Sequence, residues 1–99
     1  MTMFSMQQHD NPNGTVLAAC DADLLGETFE DGPITLHVDE DFYGGDDATL
    51  DEIVAALTRA DTANLVGNEL IAGLIEADAV DDSAVMTVDT VKHVQLVFL

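Results

Sequence analysis

Twenty Asp and Glu residues against two positive side chains, Arg59 and Lys92, leave this 99-residue chain with a formal net charge of −18. Nothing else in the sequence constrains folding as strongly, because a compact state must gather those like charges together. At physiological ionic strength the screening length is about 8 Å and many of them still repel; near 1 M salt it falls to about 3 Å. The charge balance therefore predicts a protein adapted to a concentrated-salt cytosol, such as that of an extreme halophile.

Acidic, aromatic-poor chains are disordered when their apolar residues are sparse and unpatterned. Here 47% of residues are hydrophobic, and they recur at helix and strand periods. The acid is read as the surface of a folded chain, and the length suits a single domain over residues 1–99. Cys20 is the only cysteine, which excludes an internal disulfide and a zinc site built from several thiolates. Met1 to Gln8 lacks the basic segment and apolar run of a signal peptide. No run approaches the roughly 20 apolar residues of a membrane span. A soluble, cytoplasmic protein with no membrane partner is expected.

Asn11-Pro12-Asn13-Gly14 is the clearest turn, since Pro presets one dihedral and Asn-Gly supplies positive φ. It predicts an antiparallel hairpin of a strand near Met1 to Gln8 and one from Thr15 to Cys20. Asp21 reads as the cap of a short helical turn, Ala22 to Leu25, stopped by Gly26. Ile34 to Val38 reads as a third strand. Thr49-Leu50-Asp51-Glu52 matches a capping box, and Leu50, Ile53, Val54 and Leu57 follow at helical spacing, with Arg59 near the last turn.

A second helix is predicted after Asn64, its stripe formed by Val66, Leu70, Ile71, Leu74 and Ile75 and interrupted by Gly67 and Gly73. Ala84 to Val88 and Val91 to Leu99 read as a closing hairpin joined by Asp89-Thr90. In its last strand Val94, Leu96 and Phe98 share one face, while His93, Gln95 and Val97 share the other. The predicted order is three strands, two helices, two strands. This is an α+β fold, a mostly antiparallel sheet of about five strands with two main helices packed on one face.

Catalytic signatures are scarce: the chain has no GxSxG, no phosphate-binding glycine loop, no HExxH and no Cys/His ligand cluster. Asp21 beside Cys20 disfavours a thiolate nucleophile. The acidic pairs and runs lack the EF-hand spacing and read as loose counterion sites. No cofactor, metal centre or catalytic residue is expected. His9 and His37 read as surface residues.

Four segments read as candidate contact sites. Phe42-Tyr43-Gly44-Gly45 would set flat rings beside an approachable backbone. Asn64 and Gly67 would sit at a helix start with free amides. His93 and Gln95 share a strand face, with Lys92 beside them. Cys20 and Asp21 are candidates for a pocket wall. Each also has a plain structural reading: a core aromatic with a strand-to-helix turn, an N-cap, a solvated strand face, and a small buried side chain.

Taken in order, Cys20-Asp21 with Leu24-Leu25-Gly26, Phe42-Tyr43-Gly44-Gly45, Ala63-Asn64-Leu65-Val66-Gly67 and His93-Val94-Gln95 resemble the archaeal domain of unknown function 424 family across nearly the whole chain. The resemblance implies a small stand-alone archaeal protein associated with translation or RNA handling, with no mechanism attached. Where it leads one to expect a proline before the final histidine, this chain has Lys92.

The function expected from these readings is a non-catalytic binding or adaptor protein with a protein or ribonucleoprotein partner. Two positive charges are too few for nucleic-acid binding dominated by phosphates. The competing reading is a small-ligand binder or enzyme whose pocket is formed by Asp21, Asn64 and His93, with His93 as acid/base.

Overall fold

The computed structural model describes residues 3–98; Met1, Thr2 and Leu99, at the outer ends of the first and last predicted strands, lie outside the described residues. The predicted opening hairpin is present as β1 (Phe4–Asn11) and β2 (Gly14–Asp21), paired antiparallel from Phe4↔Asp21 to Asn11↔Gly14. A 3₁₀ turn, Ala22–Leu24, follows.

Next comes a hairpin of β3 (Thr28–Asp31) and β4 (Ile34–His37), which forms a two-stranded sheet of its own. The Ile34 to Val38 reading thus holds as a strand, but its partner Thr28–Asp31 carries too many acids to show an apolar pattern. A single turn, α1 (Glu40–Tyr43), and a three-residue strand, β5 (Asp46–Ala48), lead into α2 (Leu50–Leu57).

The α2 cap forms as the sequence predicts: the Thr49 hydroxyl accepts from the Glu52 amide, and the Glu52 carboxylate accepts from the Thr49 amide. The helix ends at Leu57, so Arg59 falls beyond its last turn rather than within it.

The main correction to the predicted order lies between the two helices. Residues Thr62–Val66 form a strand, β6, and α3 (Asn68–Glu76) begins only after Gly67. Val66 and Leu70 are spaced as on a helix, but Ala63, Leu65 and Val66 are buried within a strand alternation that sheet pairing selects. A second 3₁₀ turn, Asp82–Ala84, precedes the closing hairpin β7 (Met86–Val88) and β8 (Val91–Val97), so the predicted strand from Ala84 starts two residues late. Asp89 and Thr90 take φ of 47° and 70°, the left-handed pair that a two-residue hairpin turn requires.

The main sheet is mixed, in the order β5-β1-β2-β6-β8-β7, with β2 and β6 parallel and the remaining pairs antiparallel. The α+β class stands, with six strands in this sheet and three α-helices in place of about five and two. One face carries α2 and α3 over the larger core, where Leu17, Ile53, Leu65, Leu70, Ile71 and Leu74 are fully buried. Each such side chain contributes about 1.5–3 kcal/mol over leaving it exposed. The opposite face carries a smaller cluster, Ala18, Cys20, Val38, Tyr43, Val66 and Val91, roofed at one end by Leu24, Leu25, Phe29, Leu36 and Phe42. Among the described residues no helix is long and apolar enough to cross a membrane.

Candidate functional site

Strand alternation together with the pairing register arranges this second face in rows. Ser5, Cys20, Val66 and His93 form the first; Gln7, Ala18, Asn64 and Gln95 the second; His9, Val16, Thr62 and Val97 the third. The first row lies under the β3–β4 hairpin and α1. The other two include the exposed Gln95, the half-buried Asn64, Thr62 and Val16, and Val97, which is 70% exposed.

None of these twelve positions is acidic, although twenty of the chain's 99 residues are. Asp46 and Asp47 lie on β5 at the sheet edge, where Asp47 pairs with Ser5 and bounds the first row. Asp10 and Asp21 alternate onto the other face of β1 and β2, Glu30 and Asp31 lie on β3, and the remaining acids lie on helices, turns and loops. A neutral polar patch crosses the middle of an otherwise strongly anionic molecule.

Two carboxamides lie directly opposite each other in this patch, since Asn64 pairs with Gln95 across β6 and β8. Among the described residues neither side chain makes a hydrogen bond within the protein, and His93 makes none either. Partial burial pushes the His93 imidazole below its ordinary value by disfavouring the charged ring. At the β1 side His9 stacks on Phe42, with ring centroids 4.8 Å apart and planes 7° from parallel, and its Nε2 donates to the Phe42 carbonyl at 2.8 Å. His9 is therefore half-buried rather than free at the surface; His37 is exposed. The Gln7 amide nitrogen faces the carbonyls of Gly44 and Asp41.

The other predicted contact residues fall differently. Tyr43 is only 7% exposed, its ring edge-on to Phe42 and its carbonyl accepting from the Ser5 hydroxyl at 2.9 Å. Burial raises its phenol to about 12. It belongs to the core, not to a stacking platform. The backbone that Gly44 and Gly45 approach is the chain's own: a β-carbon on Gly45 would meet the Met6 carbonyl oxygen at 2.5 Å. Of this segment Phe42 reaches the patch through its stack with His9, and Gly44 and Gly45 line a concavity beside Gln7 at the outer edge of β1.

Asn64 is not a helix cap. It sits in mid-strand, and the α3 N-cap position belongs to Gly67, whose φ of 128° is open to glycine. The missing cap hydrogen bonds come from Asp21, whose carboxylate accepts the amides of Leu70 at 2.9 Å and Glu69 at 3.2 Å. Asp21 makes no such bond to its own following turn, as the sequence had suggested it would.

This placement also separates the predicted pocket. Asp21 follows Cys20 on β2 and so faces α3, whereas Asn64 and His93 face the other way; the three do not converge. Cys20, fully buried, has its thiol pushed up to about 12 by burial and by Asp21 and Asp23, and it is no nucleophile at neutral pH. Among the described residues no group of three or more His, Cys, Asp or Glu is placed to hold a metal ion. Sequence reasoning missed Gln7 and His9 as members of the patch, although period-two counting forward from Ser5 along β1 would have found them.

The profile of the family described as "Protein of unknown function (DUF424)" matches residues 9–99. The chain belongs to the DUF424 family. A solved structure similar to this DUF424 chain is that of an uncharacterized conserved protein from Methanopyrus kandleri, with a TM-score of 0.78, 26% identity, and coverage of 95% of this chain and 90% of that one. No curated protein matches. Where the family resemblance suggested proline, Lys92 uses its backbone N–H to donate to the Asn68 carboxamide oxygen at 2.9 Å, a bond proline lacks. Asn68 in turn donates to the Thr90 carbonyl, tying the start of α3 to the β7–β8 turn.

Proposed function

We propose that this DUF424 protein is a non-catalytic binding or adaptor protein of translation or RNA handling in a salt-rich cytoplasm, and that it contacts its partner through the carboxylate-free rows of its sheet. One observation carries the reading: the patch centred on Asn64 and Gln95 is neutral, polar and open on a chain of net charge −18. A surface that must meet another anionic macromolecule gains from losing its own carboxylates there, because like charges facing each other across an interface cost several kcal/mol. Catalysis has little support, since the thiol is buried and protonated and Asp21 is committed to capping α3.

The test is affinity capture of the tagged protein from lysate held at about 2 M KCl, where surface repulsion is screened, with and without ribonuclease. Recovery of ribosomal or RNA-processing components by the wild type, and their loss with Gln95→Glu, is the expected result. Equal recovery by both proteins would remove the sheet face from the contact.

A further inference from the structure

The same face also carries information about the chemistry of what it meets. Its central groups are the Asn64 and Gln95 carboxamides, whose hydrogen-bonding capacity is left unspent within the described residues. Asn64 and Gln95, side by side across the strands, present two acceptors and two NH₂ groups on one surface. Side chains of this type read planar heterocycle edges in pairs, whereas an apolar protein surface would be better served by Leu or Val at those positions. Cations that would hold phosphates are absent from the rows.

The shape matters as well. Three surface concavities among the described residues, of about 330, 400 and 410 Å³, lie along the acidic loop after α3, between the ends of α2 and α3, and at the outer edge of β1. Neither Asn64 nor Gln95 lines these three; of their row only Gln7 does, in the third. Small-molecule sites are concave, whereas single strands bind open surfaces through successive bases. At the rim the stacked His9–Phe42 pair supplies a flat π surface on which a base can extend the stack.

From this we infer that the occupant of the face is single-stranded RNA, bound by its unpaired bases against Asn64, Gln95 and the His9–Phe42 stack, with its phosphates turned to solvent. The inference rests on the binding reading above and specifies it. Binding through bases rather than phosphates releases few counterions, and salt screens the repulsion between the RNA and a chain of net charge −18, so affinity is expected to hold or rise as KCl rises; a protein neutralising Z phosphates on a single strand would instead show a slope of about −0.7Z.

The experiment is a titration of fluorescently labelled single-stranded RNAs of mixed sequence, about ten nucleotides long, into the full chain across a series of KCl concentrations, with a duplex of the same sequence as control. The expected result is single-strand binding that holds or strengthens as KCl rises, absent for the duplex. It weakens about tenfold or more in Gln95→Glu and in Asn64→Asp, as loss of a paired base contact predicts. Circular dichroism in the same buffer establishes that both variants are folded; Gln95 is exposed, and Gln95→Glu therefore carries the decision if Asn64→Asp fails to fold. No binding by the wild type, equal binding of duplex, a steep fall with KCl, or full binding by Gln95→Glu would each overturn the inference. Ribonuclease-resistant capture of a protein that Gln95→Glu abolishes would overturn it too, while leaving the binding reading intact.

Discussion

The carboxylate of Asp21 occupies the space a β-carbon on Gly67 would need, with both carboxylate oxygens 2.6 Å from that position. From there it accepts the amides of Glu69 and Leu70, so one side chain at the end of β2 caps a helix nearly fifty residues away. Gly67→Ala must both displace this cap and adopt a φ of 128°. A loss of about 1–3 kcal/mol is expected from the backbone alone, measured by denaturant unfolding in high salt. An unchanged midpoint would mean that the cap does not anchor α3.

Burial raises the Asp21 carboxyl above its ordinary 3.8, against the two amide bonds that lower it. Its folded value exceeds its unfolded one, so ionisation opposes folding. Its contribution is greatest below pH 3.8 and is lost as pH rises through the folded value, after which it is constant. The stability of wild type minus that of Asp21→Asn should therefore decline over that window. A difference that grows with pH would show the amide bonds prevailing over burial.

Tyr43→Ala should be strongly destabilising, about 3–5 kcal/mol as for other buried aromatics; taken as an exposed ring it would have been harmless. Tyr43 should ionise near pH 12 if the fold survives there, and Cys20, also near 12, should react with thiol reagents only on unfolding. Rapid native-state labelling of Cys20 would contradict the closed roof formed by β3, β4 and α1.

His93 titrates below its ordinary 6.5 because partial burial disfavours the imidazolium. The folded value lies below the unfolded one, so His93 supports the fold above 6.5 and withdraws that support as pH falls toward the folded value. Proton-resolved titration should give a midpoint below 6.5, and His93→Gln should flatten stability over that interval.

These residues show where sequence reasoning succeeds. The Asn11 to Gly14 turn, the Thr49–Glu52 capping box, the Asp89-Thr90 hairpin and the facing of His93 with Gln95 are local: the residues that dictate each lie within a few positions of one another. Asn64 is different. Ala63 to Val66 fits a strand period and Val66 to Leu70 a helix period, and only pairing with β2 and β8 decides between them. The Asp21 cap depends on contacts far apart in sequence, so a nearer and apparently sufficient partner, the Ala22 turn, is chosen instead. Which of the adjacent rings Phe42 and Tyr43 enters the core follows from the docking of α1 on β1, and composition says nothing about it. The neutral patch itself was half legible: β8 supplied His93 and Gln95, but its full width emerges only once four strands are placed in register.

The most direct test of the central claim places the same new charge on each layer of the molecule in turn. Gln95→Glu puts a carboxylate on the open sheet face, and Ala72→Glu puts one on exposed α3; both are compared with wild type for bound RNA and protein after capture at high KCl. Gln95→Glu is expected to lose the bound material while Ala72→Glu keeps it. Equal retention by both, or loss with Ala72→Glu alone, would contradict it.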